Sequence, residues 1–137
     1  SLKTYDNEMI ERLLEPIKNQ VSWLNLAGNE INGDIAELVA SFPNLTRLSL
    51  ADTNADNDSI REFEGHETLT SLNLTGNPVT MDIINNFRSM PSLQTLFLWG
   101  TEIREDDIAT IGDTLTGVTV ISGAELIKGP AISKDTE

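Results

Sequence analysis

The side chains in this 137-residue chain best suited to chemistry are its carboxylates and its single histidine. Asp52-Thr53-Asn54-Ala55-Asp56-Asn57-Asp58 sets oxygen donors at alternate positions, as a calcium loop does. An EF-hand loop needs glycine at its sixth position, for a sharp turn, and a bidentate glutamate at its twelfth. Asn57 and Phe63 stand at those places, so the string is read as a turn followed by a helix cap. Glu105-Asp106-Asp107 gathers three carboxylates at the start of a predicted helix, where acids complement the positive end of the helix dipole. A nucleophilic site requires a base within hydrogen-bond reach and a group to orient it. His66, the sole imidazole, shares a spacing of 24 with Phe42 and Met90, both core residue types, and is read as structural. The absence of cysteine excludes a thiolate nucleophile, a cysteine-based zinc site, a CxxCH haem attachment and a disulfide within these residues. No glycine-rich phosphate loop follows a strand. A non-enzyme without cofactor or metal is expected.

Charge and hydropathy narrow the class further. Nine Lys and Arg against 22 Asp and Glu give a net charge of −13, spread through the chain. That balance disfavours nucleic acid and anionic membrane as partners. The longest apolar runs fall short of a membrane span, so direct insertion by this segment is not expected. One domain is expected at this length, and a monomer.

The elements that hold these side chains follow from a repeat. Leu69-Thr70-Ser71-Leu72-Asn73-Leu74-Thr75-Gly76-Asn77 reads LxxLxLxxN, and Leu24, Leu48, Leu72 and Leu96 stand 24 positions apart. A fainter fifth copy places Val118 only 22 beyond Leu96. A period in this range signals a solenoid of stacked strand-turn-helix units, none able to bury its apolar face alone. Strand alternation sends Leu24 and Leu26, Leu48 and Leu50, Leu72 and Leu74, and Leu96 and Leu98 into one continuous core. Asn29, Thr53, Asn77 and Thr101 occupy the slot where the chain leaves each strand, and a buried polar ladder is expected there.

Returning helices are predicted over Asp34 to Ser41, Ser59 to Glu64, Asp82 to Arg88 and Asp106 to Ile111. Before the repeats, Ile10, Leu13, Leu14 and Ile17 mark one face of an amphipathic helix from Tyr5 to Gln20, capped by Asp6 and kinked or ended by Pro16. This helix would cover the open end of the core and the first strand's edge. The predicted layout is a capping helix over 1–20, repeats over 21–123, and a C-terminal cap with a flexible tail over 124–137.

The strand positions facing away from the core are free to carry function. By repeat they are Trp23, Asn25 and Ala27; Arg47, Ser49 and Ala51; Ser71, Asn73 and Thr75; Thr95, Phe97 and Trp99; and Gly117, Thr119 and Ile121. Against this small, polar background, Trp23, Phe97 and Trp99 are large aromatics of the kind that anchor interfaces, and Arg47 is another favoured anchor. Arg47, Asn73, Phe97, Trp99 and Trp23 are the candidate binding residues. Packing against terminal caps or loops is the other reading of the two tryptophans, favoured for Trp23 because it follows the capping helix.

The 24-residue step over Val21 to Gly123 resembles the leucine-rich repeat superfamily, of ribonuclease-inhibitor-like type. That resemblance implies an α/β solenoid, a right-handed horseshoe segment with about five short parallel strands on its concave side and short helices on its convex side. It also implies protein recognition on the concave face. More narrowly, 17–26, Phe42-Pro43-Asn44-Leu45-Thr46-Arg47-Leu48 and Leu96-Phe97-Leu98-Trp99-Gly100-Thr101 are similar to the repeat region that follows a c-type cytochrome domain in bacterial membrane-bound proteins. This narrower resemblance implies a periplasmic or cell-envelope setting, with a neighbouring domain of the parent chain as one candidate partner. Carbohydrate binding through the concave-face aromatics, or a spacer role, is the alternative to protein recognition.

Overall fold

The computed structural model describes residues 6–123; the cap and tail expected over 124–137 lie outside the described residues. Five short strands, β1 (Trp23–Asn25), β2 (Arg47–Ser49), β3 (Ser71–Asn73), β4 (Thr95–Phe97) and β5 (Thr119–Ile121), form one parallel sheet in chain order. Helices α1 (Asn7–Leu14), α2 (Gly33–Ala40), α3 (Asn57–Arg61), α4 (Ile84–Arg88) and α5 (Glu105–Thr114) form the other layer. The register follows the sequence period: Leu24, Leu48, Leu72, Leu96 and Val120 are successive partners across the sheet. The fifth pairing places Val120, not Val118, opposite Leu96, which keeps the step at 24 through the last repeat. Beyond the strands the ladder continues, with the amides of Leu26, Leu50, Leu74 and Leu98 donating to the carbonyls of Ser49, Asn73, Phe97 and Ile121.

The core lies between the layers. Leu48, Leu50, Leu72, Leu74, Leu96 and Leu98 meet Ile35, Val39, Ile60, Phe63, Ile83, Phe87 and Ile111 from the helical side, all of them buried. Phe42 and Met90 are buried as well. His66, between them in the period, is half-buried; its Nε2 lies 3.1 Å from the Phe42 carbonyl and its Nδ1 accepts from the Leu69 amide at 3.3 Å. The imidazole ties two repeats together, using both nitrogens on backbone.

The polar ladder closes the turns. Thr53 Oγ1 donates to the Leu50 carbonyl at 2.7 Å and Thr101 Oγ1 to that of Leu98 at 2.9 Å. Asn77, 1% exposed, spans two repeats. Its Oδ1 accepts from the Thr53 and Ala55 amides at 3.0 and 3.1 Å, and its Nδ2 donates to the Leu50 and Leu74 carbonyls at 2.7 and 3.1 Å. Among the described residues, no buried side-chain nitrogen or oxygen lacks a hydrogen-bond partner.

A further column starts the helices: Asn32, Asp56 and Thr80, at steps of 24, accept from the amides of Ile35, Ser59 and Asp82. Asp6 caps α1 in the same way, accepting from Met9. Helix α1 is shorter than the expected Tyr5 to Gln20. It stops at Leu14, and Pro16 falls in the first turn of a 3-10 segment, Glu15–Gln20. Only Ile10 and Leu14 of its apolar residues enter the core; Leu13 is 58% exposed and Ile17 41%. The four residues share a face only if the helix runs on, and the change of winding after Leu14 turns Ile17 away. The helix sits on the helical layer, where Asn7 donates to the Glu30 carbonyl and accepts from the Asn32 amide. It leaves Trp23, on the first strand, 66% exposed.

Candidate functional site

The outward strand positions line up as columns because the parallel register pairs like with like. Trp23, Arg47, Ser71, Thr95 and Thr119 form one column, and Asn25, Ser49, Asn73, Phe97 and Ile121 the next. Between them lies an open trough of about 350 Å³, bounded by Trp23 and Arg47 at one end and Phe97 at the other. Small polar residues, Ser49, Ser71 and Asn73, make its floor, with the strand leucines beneath. The absence of bulk in the central repeats is what leaves the trough open.

Trp23 and Arg47 act as a unit. The Arg47 guanidinium carbon stands 4.6 Å from the centroid of the Trp23 ring, a cation–π contact worth about 0.5–1 kcal/mol at an exposed site. An arginine in contact with an aromatic ring still has N–H donors to offer, because the guanidinium carries five. Asn73 has half of its amide committed: Oδ1 accepts from the Thr75 amide at 3.0 Å, as Asn25 Oδ1 does from Ala27 at 2.9 Å. These short turns fix the side chains, and Asn73 lines the trough. Phe97 is half-buried on β4, next to Asn73 across the sheet.

Trp99 stands apart. It lies beyond the end of β4, 42% exposed, with its ring against Gly123. A Cβ on Gly123, whose φ is 98°, would fall 1.5 Å from Trp99 Cε3, so the ring lies directly on that backbone. Of the two readings open for each tryptophan, exposure describes Trp23, which contacts Arg47, while Trp99 combines exposure with packing against Gly123.

Comparison with known proteins agrees with this architecture. A family model described as Leucine Rich Repeat matches residues 68–90, the third repeat. A solved structure described as leiomodin-1 actin-binding site 2 is similar over 91% of this chain and 84% of that one, at 20% sequence identity and a TM-score of 0.68. No curated protein matches in sequence. The chain folds as a leucine-rich repeat solenoid.

On this solenoid the trough brings together four of the five candidate binding residues, Trp23, Arg47, Asn73 and Phe97, and leaves Trp99 outside. It adds Ser49 and Ser71, which the sequence offers only as background. The adjacency of Trp23 and Arg47 was within reach of the sequence, since residues 24 apart are neighbours across the sheet, but their side-chain contact was not. The Asp52 to Asp58 string is a turn and a cap: Asp56 holds the Ser59 amide, and Asp52 and Asn54 adopt left-handed backbone at φ of 54° and 60°. Among the described residues, no group of three His, Cys, Asp or Glu is placed to hold a metal ion, and no helix is long and apolar enough to cross a membrane.

Proposed function

We propose that this solenoid is a non-catalytic recognition module that binds another protein, or a neighbouring domain of its parent chain, through its concave face. The observation carrying this reading is the trough itself: two anchor-type ends, Trp23 with Arg47 and Phe97, separated by a floor of small side chains. Aromatic and arginine anchors around a clear central floor match how binding energy concentrates at protein interfaces. A domain of similar fold is named for the actin it binds; here that likeness speaks for the fold, and the partner is read from the trough. The helical returns support the ribonuclease-inhibitor-like type. The three segments similar to cytochrome-associated repeats support a bacterial cell-envelope parent, which is where a neighbouring domain would be sought.

Carbohydrate binding is the second reading, favoured by the Asn73 amide beside Phe97. Two observations weigh against it: one face of Trp23 is taken by Arg47, and Trp99 rests on Gly123. The decisive experiment immobilises the wild-type chain and a Trp23→Ala/Phe97→Ala variant, and compares captured proteins by quantitative mass spectrometry, with a glycan array in parallel. Protein recognition predicts a partner held by the wild type and lost by the variant. Identical captured sets, or binding to glycans alone, would overturn it; no dependence on the face in either assay would leave a spacer.

A further inference from the structure

Among the outward strand positions of the described residues, Arg47 is the one charged side chain, in a chain carrying −13. Among the described residues no carboxylate lies within ion-pair distance of it; the two ion pairs formed are Lys18–Glu15 and Arg61–Asp58, both away from the trough. The Arg47 guanidinium lies over the Trp23 ring. An arginine that lines a cavity, without a carboxylate within ion-pair distance among the described residues, is suited to bidentate pairing with a carboxylate from a partner.

We propose that the trough takes a polypeptide segment presenting one acidic side chain to Arg47 and one aromatic or branched apolar side chain to Phe97, on a partner whose surface is otherwise neutral or basic. This rests on the concave-face reading above and specifies its partner. Arg47 on β2 and Phe97 on β4 are two strand spacings apart, about 10 Å at the usual separation, which sets the distance between the two partner side chains. Ser49, Ser71 and Asn73, each carrying a hydrogen-bond donor, line the trough between them, where a crossing backbone would present its carbonyls. The chain's net charge repels an acid-rich body at long range and attracts a basic one, while screening over about 8 Å lets Arg47 act locally against that field.

The test is selection from a random twelve-residue peptide display library on the wild type, Arg47→Ala, Arg47→Glu and Phe97→Ser, with melts to show that each exposed-face variant is folded. Peptides selected on the wild type should share an Asp or Glu at a fixed spacing from an aromatic or branched residue. They should bind Arg47→Ala on the order of tenfold or more weakly. Selection on Arg47→Glu should exchange the acid for Lys or Arg and keep the apolar residue. Peptides that need Phe97 but carry no acid and ignore Arg47→Ala overturn this inference and leave concave-face binding standing. A library yielding nothing that depends on Phe97 overturns both.

Discussion

Asn77 carries the sharpest prediction about stability. It is buried, and its bonds to the Thr53 and Ala55 amides and to the Leu50 carbonyl join the second repeat to the third. Asn77→Ala leaves the Thr53 and Ala55 amides without their acceptor inside a turn that water does not reach. Each buried group left unsatisfied costs about 1–3 kcal/mol, so two orphaned amides predict a loss of about 2–6 kcal/mol. The Leu50 carbonyl keeps Thr53 Oγ1 as a donor, and so adds little. Domains of this size are stable by about 5–15 kcal/mol, and the variant should therefore unfold at a much lower urea concentration or fail to fold. Asn77→Thr separates the two roles of the amide. Thr53 and Thr101 show that threonine in this slot reaches its own strand's carbonyl, but it cannot bridge to the preceding repeat. It should fold and fall between the wild type and Asn77→Ala. The assay is urea denaturation followed by circular dichroism, with the slope checked for constancy. An Asn77→Ala midpoint within error of the wild type would falsify the ladder as a source of stability.

Other perturbations test the packing. Leu72→Ala, at a fully buried central position, should cost about 2–5 kcal/mol by thermal melt; an unshifted melt contradicts the register. Gly76→Ala should cost about 1–2 kcal/mol from its left-handed φ of 78°, with the Asp52 carboxylate also forced to move. Asp52→Gly, at the same turn position one repeat earlier, should not destabilise, since glycine takes that backbone without strain. Gly123→Ala should lift Trp99 from its seat and shift its fluorescence toward that of a solvated indole, and an unchanged emission spectrum would show that the ring does not rest there.

Much of the fold was legible because a solenoid writes its contacts at one sequence distance. The step of 24 placed Leu48 beside Leu72, grouped Asn29, Thr53, Asn77 and Thr101, and put His66 among core positions, where it bonds backbone. Legibility ended where the period did. Ile10, Leu13, Leu14 and Ile17 read as one helical face, yet which side of an end helix is buried depends on how it docks, and the change of winding after Leu14 is a tertiary outcome. The candidate residues were legible as a column list, since outward strand positions follow from alternation. Their grouping was not: Trp99, one turn beyond Phe97, is drawn onto Gly123 because that last column position has no side chain. The Trp23–Arg47 stack depends on rotamers that spacing does not encode.

The central claim is that the concave trough, and not the helical layer, is the binding surface. Its most direct test is the affinity of the captured partner for three proteins: the wild type, Trp23→Ala/Phe97→Ala, and a convex-side control, Glu37→Lys/Glu62→Lys, whose side chains are exposed on the helical side. Loss of two anchors at about 1.4 kcal/mol or more each predicts a weakening of about 100-fold or greater for the concave variant, with the convex control within a few-fold of the wild type. Undiminished binding by the concave variant, with loss in the convex one, would contradict the account.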